Sequence, residues 1–392
     1  MLGDTNTYAY EGGYARFYIV PEEGTYYIQN VGSGRYVDVE GPSLNDGAAI
    51  HEWDFRTNPQ EKWIVEHVEN SDGYIRLKSV YSNKYIGIDS EALSYVKQYA
   101  AQNNYTLWRI DRTSSGNLTF QCKVYQGTDA VMAVPTASTS NGTNLIMAAY
   151  TDNATYTDEW YLLEKVISYV NYYDSSFAGN SLMIQNITTA NEFSNMVYSK
   201  YFNIGMGMDG SASQYATVID SCSTGTNSPC TSEQCGSDCN ATHHKNGLVI
   251  SNQIYYEDRE ADHVYILWTN RAYGTYCNES TDSHSDVKWI AVVYGKRPVI
   301  HFMTIGGNES VQLACMTLNI VHETAHTLNM DDVYNNENHN APNATVCVME
   351  KFDNQTAYDF YIDVLNGEAD PFCDSCRIQL QAYIDNISIP GN

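Results

Sequence analysis

"GRYVDVEGPSLNDGAAIHEWDFRTNPQEKW", residues 34–63, carries a layout that recurs twice further along the chain. A short apolar-x-apolar strand comes first, then a polar stretch, then a second strand ending on an aromatic, and finally a tryptophan. "NKYIGIDSEALSYVKQYAAQNNYTLW" (83–108) and "TDAVMAVPTASTSNGTNLIMAAYTDNATYTDEW" (128–160) repeat it. The aromatics that end the second strands are Trp53, Tyr99 and Tyr150, and the late tryptophans are Trp63, Trp108 and Trp160. A period of roughly 45 residues is the scale of repeat architectures, in which one copy cannot bury its apolar face alone. Three copies must therefore share a core, closing about a pseudo-threefold axis with the late tryptophans inside.

This segment resembles a ricin B-type β-trefoil lectin domain, with the usual Gln-x-Trp replaced by Glu61-Lys62-Trp63, Thr106-Leu107-Trp108 and Asp158-Glu159-Trp160. The resemblance implies an all-β trefoil over residues 22–165. It also implies a sugar site, in which an acid on the first strand accepts from two sugar hydroxyls and an aromatic on the next strand stacks under the ring. Asp38 and Trp53 fill those positions in the first repeat, with His51 and Gln60 as nearby polar groups. Gly87 and Ala133 stand at the acid position in the other two. One competent site is expected, for a glycan of the galactose type. The alternative is a trefoil that serves only as a spacer or docking surface.

The net charge of −26 turns the chain away from nucleic acid and anionic membranes. Thirty-three tyrosines argue against disorder, and no apolar run approaches membrane-spanning length. The opening "MLGDTNTYAYEGG" has neither the basic nor the apolar region of a signal peptide, which fits a cytosolic protein or one whose leader is gone. Ten cysteines favour export. Four of them (Cys222, Cys230, Cys235, Cys239) crowd a loop poor in apolar residues, where disulfides are expected and a zinc knuckle with His243 or His244 is the alternative. Residues 1–21, with "YARFYIV" as a strand, belong clearly to neither half of the chain.

From residue 166 to 392 the pattern becomes α+β. Thr189 and Glu192 are spaced as a capping box opening a helix. Strand-like runs follow at 247–250, 264–269, 288–294 and 298–304, and then a helix from about Asn308 to Leu328. That helix carries "VHETAHTLNMDDVY" (321–334). His322 and His326 lie one turn apart, so both imidazoles can reach one ion, while Glu323 can address a ligand of that ion. Zinc takes neutral imidazoles, keeps a water and acidifies it, and a nearby carboxylate accepts the proton as the water attacks a carbonyl. An amphipathic helix with incidental histidines is the competing reading.

The full stretch "HETAHTLNMDD" resembles the long motif of the metzincin metallopeptidases. It differs in having Asn329 for glycine at the turn, and Asp332 as third ligand as in the snapalysin-like branch. Asparagine tolerates the left-handed conformation that such a turn needs. Met349, in "ATVCVMEKF", stands where that family places a methionine under the metal. "PFCDSCRIQL" resembles the Cys-x-x-Cys of archaemetzincins, whose cysteines hold a second zinc. Because one cysteine of that pattern is missing, disulfides among Cys347, Cys373 and Cys376 are expected, with a structural zinc there as the alternative. Lys351 replaces a tyrosine of some metzincins, which leaves the tetrahedral intermediate to be stabilised by the metal alone, or by Tyr334 or Tyr358.

The resemblances together imply a multidomain chain, a β-trefoil followed by a metzincin-like zinc peptidase domain. It would be a secreted, monomeric endopeptidase held on glycoprotein or glycan-coated substrates by its lectin half. "HVYILWT" (263–269) is one candidate edge strand for substrate addition. Two rivals stand beside this: a gluzincin with Glu350 as third ligand, and a catalytically inactive carbohydrate-binding protein.

Overall fold

One hydrogen bond recurs in all three repeats. Trp63 Nε1 donates to the Val37 carbonyl at 2.9 Å, Trp108 Nε1 to Ile86 O at 2.8 Å and Trp160 Nε1 to Met132 O at 3.0 Å. The three indoles are fully buried and share one core with Ile28, Leu77 and Phe120. In this computed structural model the described residues are 17–89, 95–151, 157–173, 181–208, 213–214, 263–269, 291–293, 299–303, 309–328, 347–349 and 354–386. The repeats form a 12-stranded antiparallel sheet with a separate pair, Ala130–Ala133 and Ile146–Ala149. Phe17–Ile19 joins this sheet by pairing with Ile110–Arg112, so the early strand belongs with the trefoil.

Strand alternation sets what each residue faces. Tyr36–Val39 pairs antiparallel with Ile50–Trp53, Asp38 opposite His51 and Tyr36 opposite Trp53. Val37, Val39 and Ile50 point into the core. Their register partner Glu52, opposite Val37, is carried to the same side and is fully buried. Asp38, His51 and Trp53 occupy the other face.

The chain divides into two compact units. One runs to Val166 and takes in Asn203–Gly207; the other comprises Ile167–Phe202 and the chain from Met208. Within the first, the glycines of "IGMGM" permit close approach: a Cβ on Gly205 would meet the Tyr36 hydroxyl at 2.6 Å, and one on Gly207 would collide with the Phe55 ring.

The first helix of the second unit is α1, Ser181–Phe202. Thr189 and Glu192 lie inside it, so they do not form the expected capping box; the helix starts earlier and already buries Asn186 and Ile187 upstream of them. The sheet here is mixed. Lys165–Tyr173, His263–Thr269 and Val299–Met303 run parallel as neighbours, and Ala291–Val293 is antiparallel beyond them. His263–Thr269 is thus paired on both sides and is not an edge strand, contrary to expectation. Residues 247–250 lie outside those described. Helix α2, Glu309–Thr327, carries the histidine motif and packs on α1 and on α3, Asn354–Asn366. A fourth helix, α4, spans Asp374–Asn386. Among the described residues no helix is long and apolar enough to cross a membrane.

Glu52 makes the trefoil sensitive to pH. Ser33 Oγ donates to its Oε2 at 2.5 Å, while Oε1 has no hydrogen-bond partner among the described residues. Burial, partly offset by the Ser33 bond, pushes the carboxyl from 4.5 up to about 7. The folded state therefore holds a proton that an unfolded chain releases near 4.5, so stability is full below that pH and declines as pH rises through 7. Glu52→Gln should be neutral at pH 4 and stabilising by on the order of 3 kcal/mol at pH 8. Urea melts of both proteins at the two pH values measure this.

Candidate functional site

The pairing of Tyr36–Val39 with Ile50–Trp53 assembles three of the four expected sugar-site residues. Asp38 Oδ2 lies 3.5 Å from His51 Nε2, and the His51 and Trp53 rings are 5.2 Å apart between centroids. Asp38 and His51 are 6% and 4% exposed. The His51–Asp38 contact is at ion-pair distance without hydrogen-bond geometry, and Asp38 Oδ1, His51 Nε2 and Trp53 Nε1 lack hydrogen-bond partners among the described residues. Gln60 sits on the single-turn helix Pro59–Glu61, capped by Asn58, and its Oε1 is likewise without a partner. These four polar atoms are therefore available to hydrogen-bond a ligand or solvent.

Arg56, absent from the expected set, lies with its guanidinium 4.2 Å over the Trp53 ring. A sugar stacking on that face would displace it. On the far rim the third repeat contributes Asn141, which accepts from Arg35 Nε at 2.9 Å and donates to Asp54 at 2.7 Å. Neither was visible in the repeat pattern, because one is an exposed cation and the other comes from a different copy.

The remaining repeats have no acid at the equivalent position. At Gly87 an added Cβ would meet Thr106 Cγ2 and the Tyr105 carbonyl, each at 2.8 Å. Ala133 is buried.

In the second unit His322 is 6% and Glu323 5% exposed. His322 Nδ1 is 2.8 Å from the Val348 carbonyl. A carbonyl only accepts, so Nδ1 carries the proton and Nε2 is left as the basic nitrogen. Val348 and Met349 form a turn in which Met349 is fully buried. The helix is braced from behind: Tyr198 Oη donates to Val321 O at 2.8 Å, and Tyr169 Oη and Thr324 Oγ1 are 2.5 Å apart. Burial pushes both tyrosines up, Tyr169 to about 12, so each stays a protonated donor. His326 lies one turn on from His322 in α2, and Leu328 N closes the helix on Thr324 and Ala325. Asp332, Asn329, Tyr334 and Glu350 lie outside the described residues.

Cys347, Cys373 and Cys376 bring their sulfurs within 4.8 Å of one another, all buried. Cys122 and Cys315 are buried thiols as well, and among the described cysteines there is no disulfide. The expected bridges are absent here because three sulfurs converge on one point instead of pairing. The hydrogen bond from the Cys376 thiol holds Cys347 below its ordinary thiol range, and the same bond pushes Cys376 up. Three soft donors around one space suit zinc.

Residues 14–94 and 59–148 match the family model of the ricin-type beta-trefoil lectin domain-like proteins. The N-terminal region is a ricin B-type β-trefoil domain. Similar solved structures include ThreeFoil, a designed threefold-symmetric protein (25% identity, 36% of this chain and 97% of that one, TM-score 0.32). The Rhizoctonia solani agglutinin shares 20% identity over 36% of this chain and 94% of its own (TM-score 0.32). A Macrolepiota procera ricin B-like lectin in complex with lactose shares 19% over 35% and 93% (TM-score 0.30). None of the curated proteins matches the chain significantly.

The second repeat gives a test. Gly87→Asp supplies the missing acid but forces it against a backbone oxygen, so it should cost about 1–3 kcal/mol and create no second sugar site. A lowered melting temperature with unchanged glycan stoichiometry is the expected pair of results.

Proposed function

We propose that this protein is a secreted zinc endopeptidase that binds glycan through the first repeat of its trefoil and cleaves peptide bonds in protein or glycoprotein substrates with its second unit. The observation that carries the glycan half is the set of unpartnered polar atoms on Asp38, His51, Trp53 and Gln60, lying in the single repeat that has an acid on its first strand. A carboxylate held between strands can accept from two adjacent hydroxyls, and the indole supplies an apolar face for the ring. The lactose complex of the Macrolepiota procera lectin supports a galactose-type ligand for such a fold.

The peptidase half is supported by the orientation of His322. A histidine that ligates a metal ordinarily gives its other ring N–H to a carbonyl or carboxylate, and the Val348 carbonyl is placed for that. His322, His326 and Asp332 would hold the catalytic zinc, which when bound lowers the pKa of its water towards about 7. Glu323 accepts the proton as general base, and Met349 supplies the apolar floor. Cys347, Cys373 and Cys376 would hold a second, structural zinc. Ala291–Val293, terminal in the described sheet, replaces His263–Thr269 as the strand to which substrate adds. Tethering by the lectin raises the concentration of cleavable chain at the site without any new contact there.

Asp38→Ala should abolish signal on a glycan array while intrinsic tryptophan fluorescence stays native; retained binding would move the sugar site elsewhere. Glu323→Ala should keep stoichiometric zinc and lose hydrolysis of a peptide substrate by about 10²–10⁴-fold. Loss of the metal in that variant would make Glu323 a ligand instead of the base.

A further inference from the structure

We infer that the Cys347, Cys373 and Cys376 cluster positions His322, so that metal occupancy at the thiols and at the histidine pair is coupled through one peptide carbonyl. The inference rests on the zinc-peptidase reading of the histidine motif. Both backbone groups of Val348 are committed: its N–H donates to Pro371 O at 2.8 Å, and its carbonyl takes the His322 Nδ1–H at 2.8 Å. Its neighbour Cys347 accepts a hydrogen bond from the Cys373 backbone N–H at 3.4 Å. Cys376 lies in the first turn of α4, and the Arg377 N–H closes on Cys373 O at 2.9 Å. The segment 371–376 therefore grips residues 347–348 at two points, and the same two residues hold the imidazole.

The geometry gives the cluster leverage. Tetrahedral zinc at about 2.3 Å from each sulfur sets the sulfurs about 3.8 Å apart. Closing from the present span of up to 4.8 Å moves Cys347 by a fraction of an ångström relative to α4. Val348 is the next residue, and a hydrogen bond at 2.8 Å weakens steeply over such a displacement. A filled cluster fixes the carbonyl, keeps the proton on His322 Nδ1 and presents Nε2 in one direction. With the Cys376 sulfur removed, Val348 N–H keeps Pro371 O and Cys347 keeps the Cys373 N–H, but no ion locks the two segments together. Partners of this kind typically change metal affinity 10–100-fold.

Cobalt(II) titration of the full chain separates the two sites, since thiolate ligation produces intense charge-transfer absorption and imidazole ligation only weak visible bands. Wild type should bind two cobalt ions, the thiolate site first, with the His322 ring of ¹⁵N-histidine-labelled protein in the Nδ1–H tautomer. Cys376→Ser removes the sulfur farthest in sequence from Val348. It should abolish the thiolate band, weaken cobalt at the histidines about tenfold and give mixed tautomers for His322. Because coupling between two bound ions is reciprocal, cobalt at the thiols should resist a competing chelator about tenfold better in wild type with its histidine site filled than in His322→Gln, where that site cannot fill, which keeps the test intact if the cysteine variant folds poorly. Unchanged histidine-site affinity and tautomer in Cys376→Ser, or an unchanged thiolate site in His322→Gln, would overturn the coupling and leave the peptidase reading standing. A wild type that binds cobalt only at the thiols would overturn the peptidase reading itself.

Discussion

The bond from each late tryptophan to the first strand of its own repeat is the constraint on which the trefoil depends. Three buried indoles each carry one donor, and a donor in an apolar core must be answered. The answering carbonyls belong to Val37, Ile86 and Met132, each immediately before the position where the sugar-binding acid would stand. The core thus determines where the acid position lies in all three copies, and only the residue type and its surroundings decide which copy can use it. Asp38 has room beside His51, whereas Gly87 is hemmed in by Thr106 and Tyr105. The fold is threefold in its donors, and only the first copy has an acid at that position.

Much of this was legible in the sequence because it is periodic. Tryptophans at a constant offset from an apolar-x-apolar strand specify a shared core, and strand alternation then sets which residues face outward with Asp38. What the pattern could not show is where single copies differ. Arg56 over Trp53 and Asn141 reaching in from the third repeat obey no repeat. Gln60 was placed near the site by sequence, and it lies on its own capped turn without a hydrogen bond to the other three.

The second half was legible over one helix and less so elsewhere. The ends expected for the motif helix agree with Glu309–Thr327 to about a residue, because apolar spacing and the two histidines share one period. The start of α1 was misplaced because Thr189 and Glu192 match a cap locally while the helix already buries Asn186 and Ile187 upstream of them. Tertiary burial outweighs a cap worth about 1 kcal/mol. The role of His263–Thr269 was misjudged for a different reason. An apolar run gives strand identity but not whether one or both of its edges are paired, and in the sheet both are.

Val348 shows why a motif read from side chains is incomplete. Its carbonyl is invisible in a sequence, yet that oxygen selects which nitrogen of His322 carries the proton. Two histidines on one turn define only a direction; the tautomer defines which atom points along it. In this chain the tautomer is set from 26 residues away, in a turn whose flanking residues are a buried cysteine and a buried methionine. A substitution anywhere in residues 347–349 that shifts the turn would therefore act on the motif helix without touching a histidine. Sequence comparison restricted to the histidine motif could not detect that dependence.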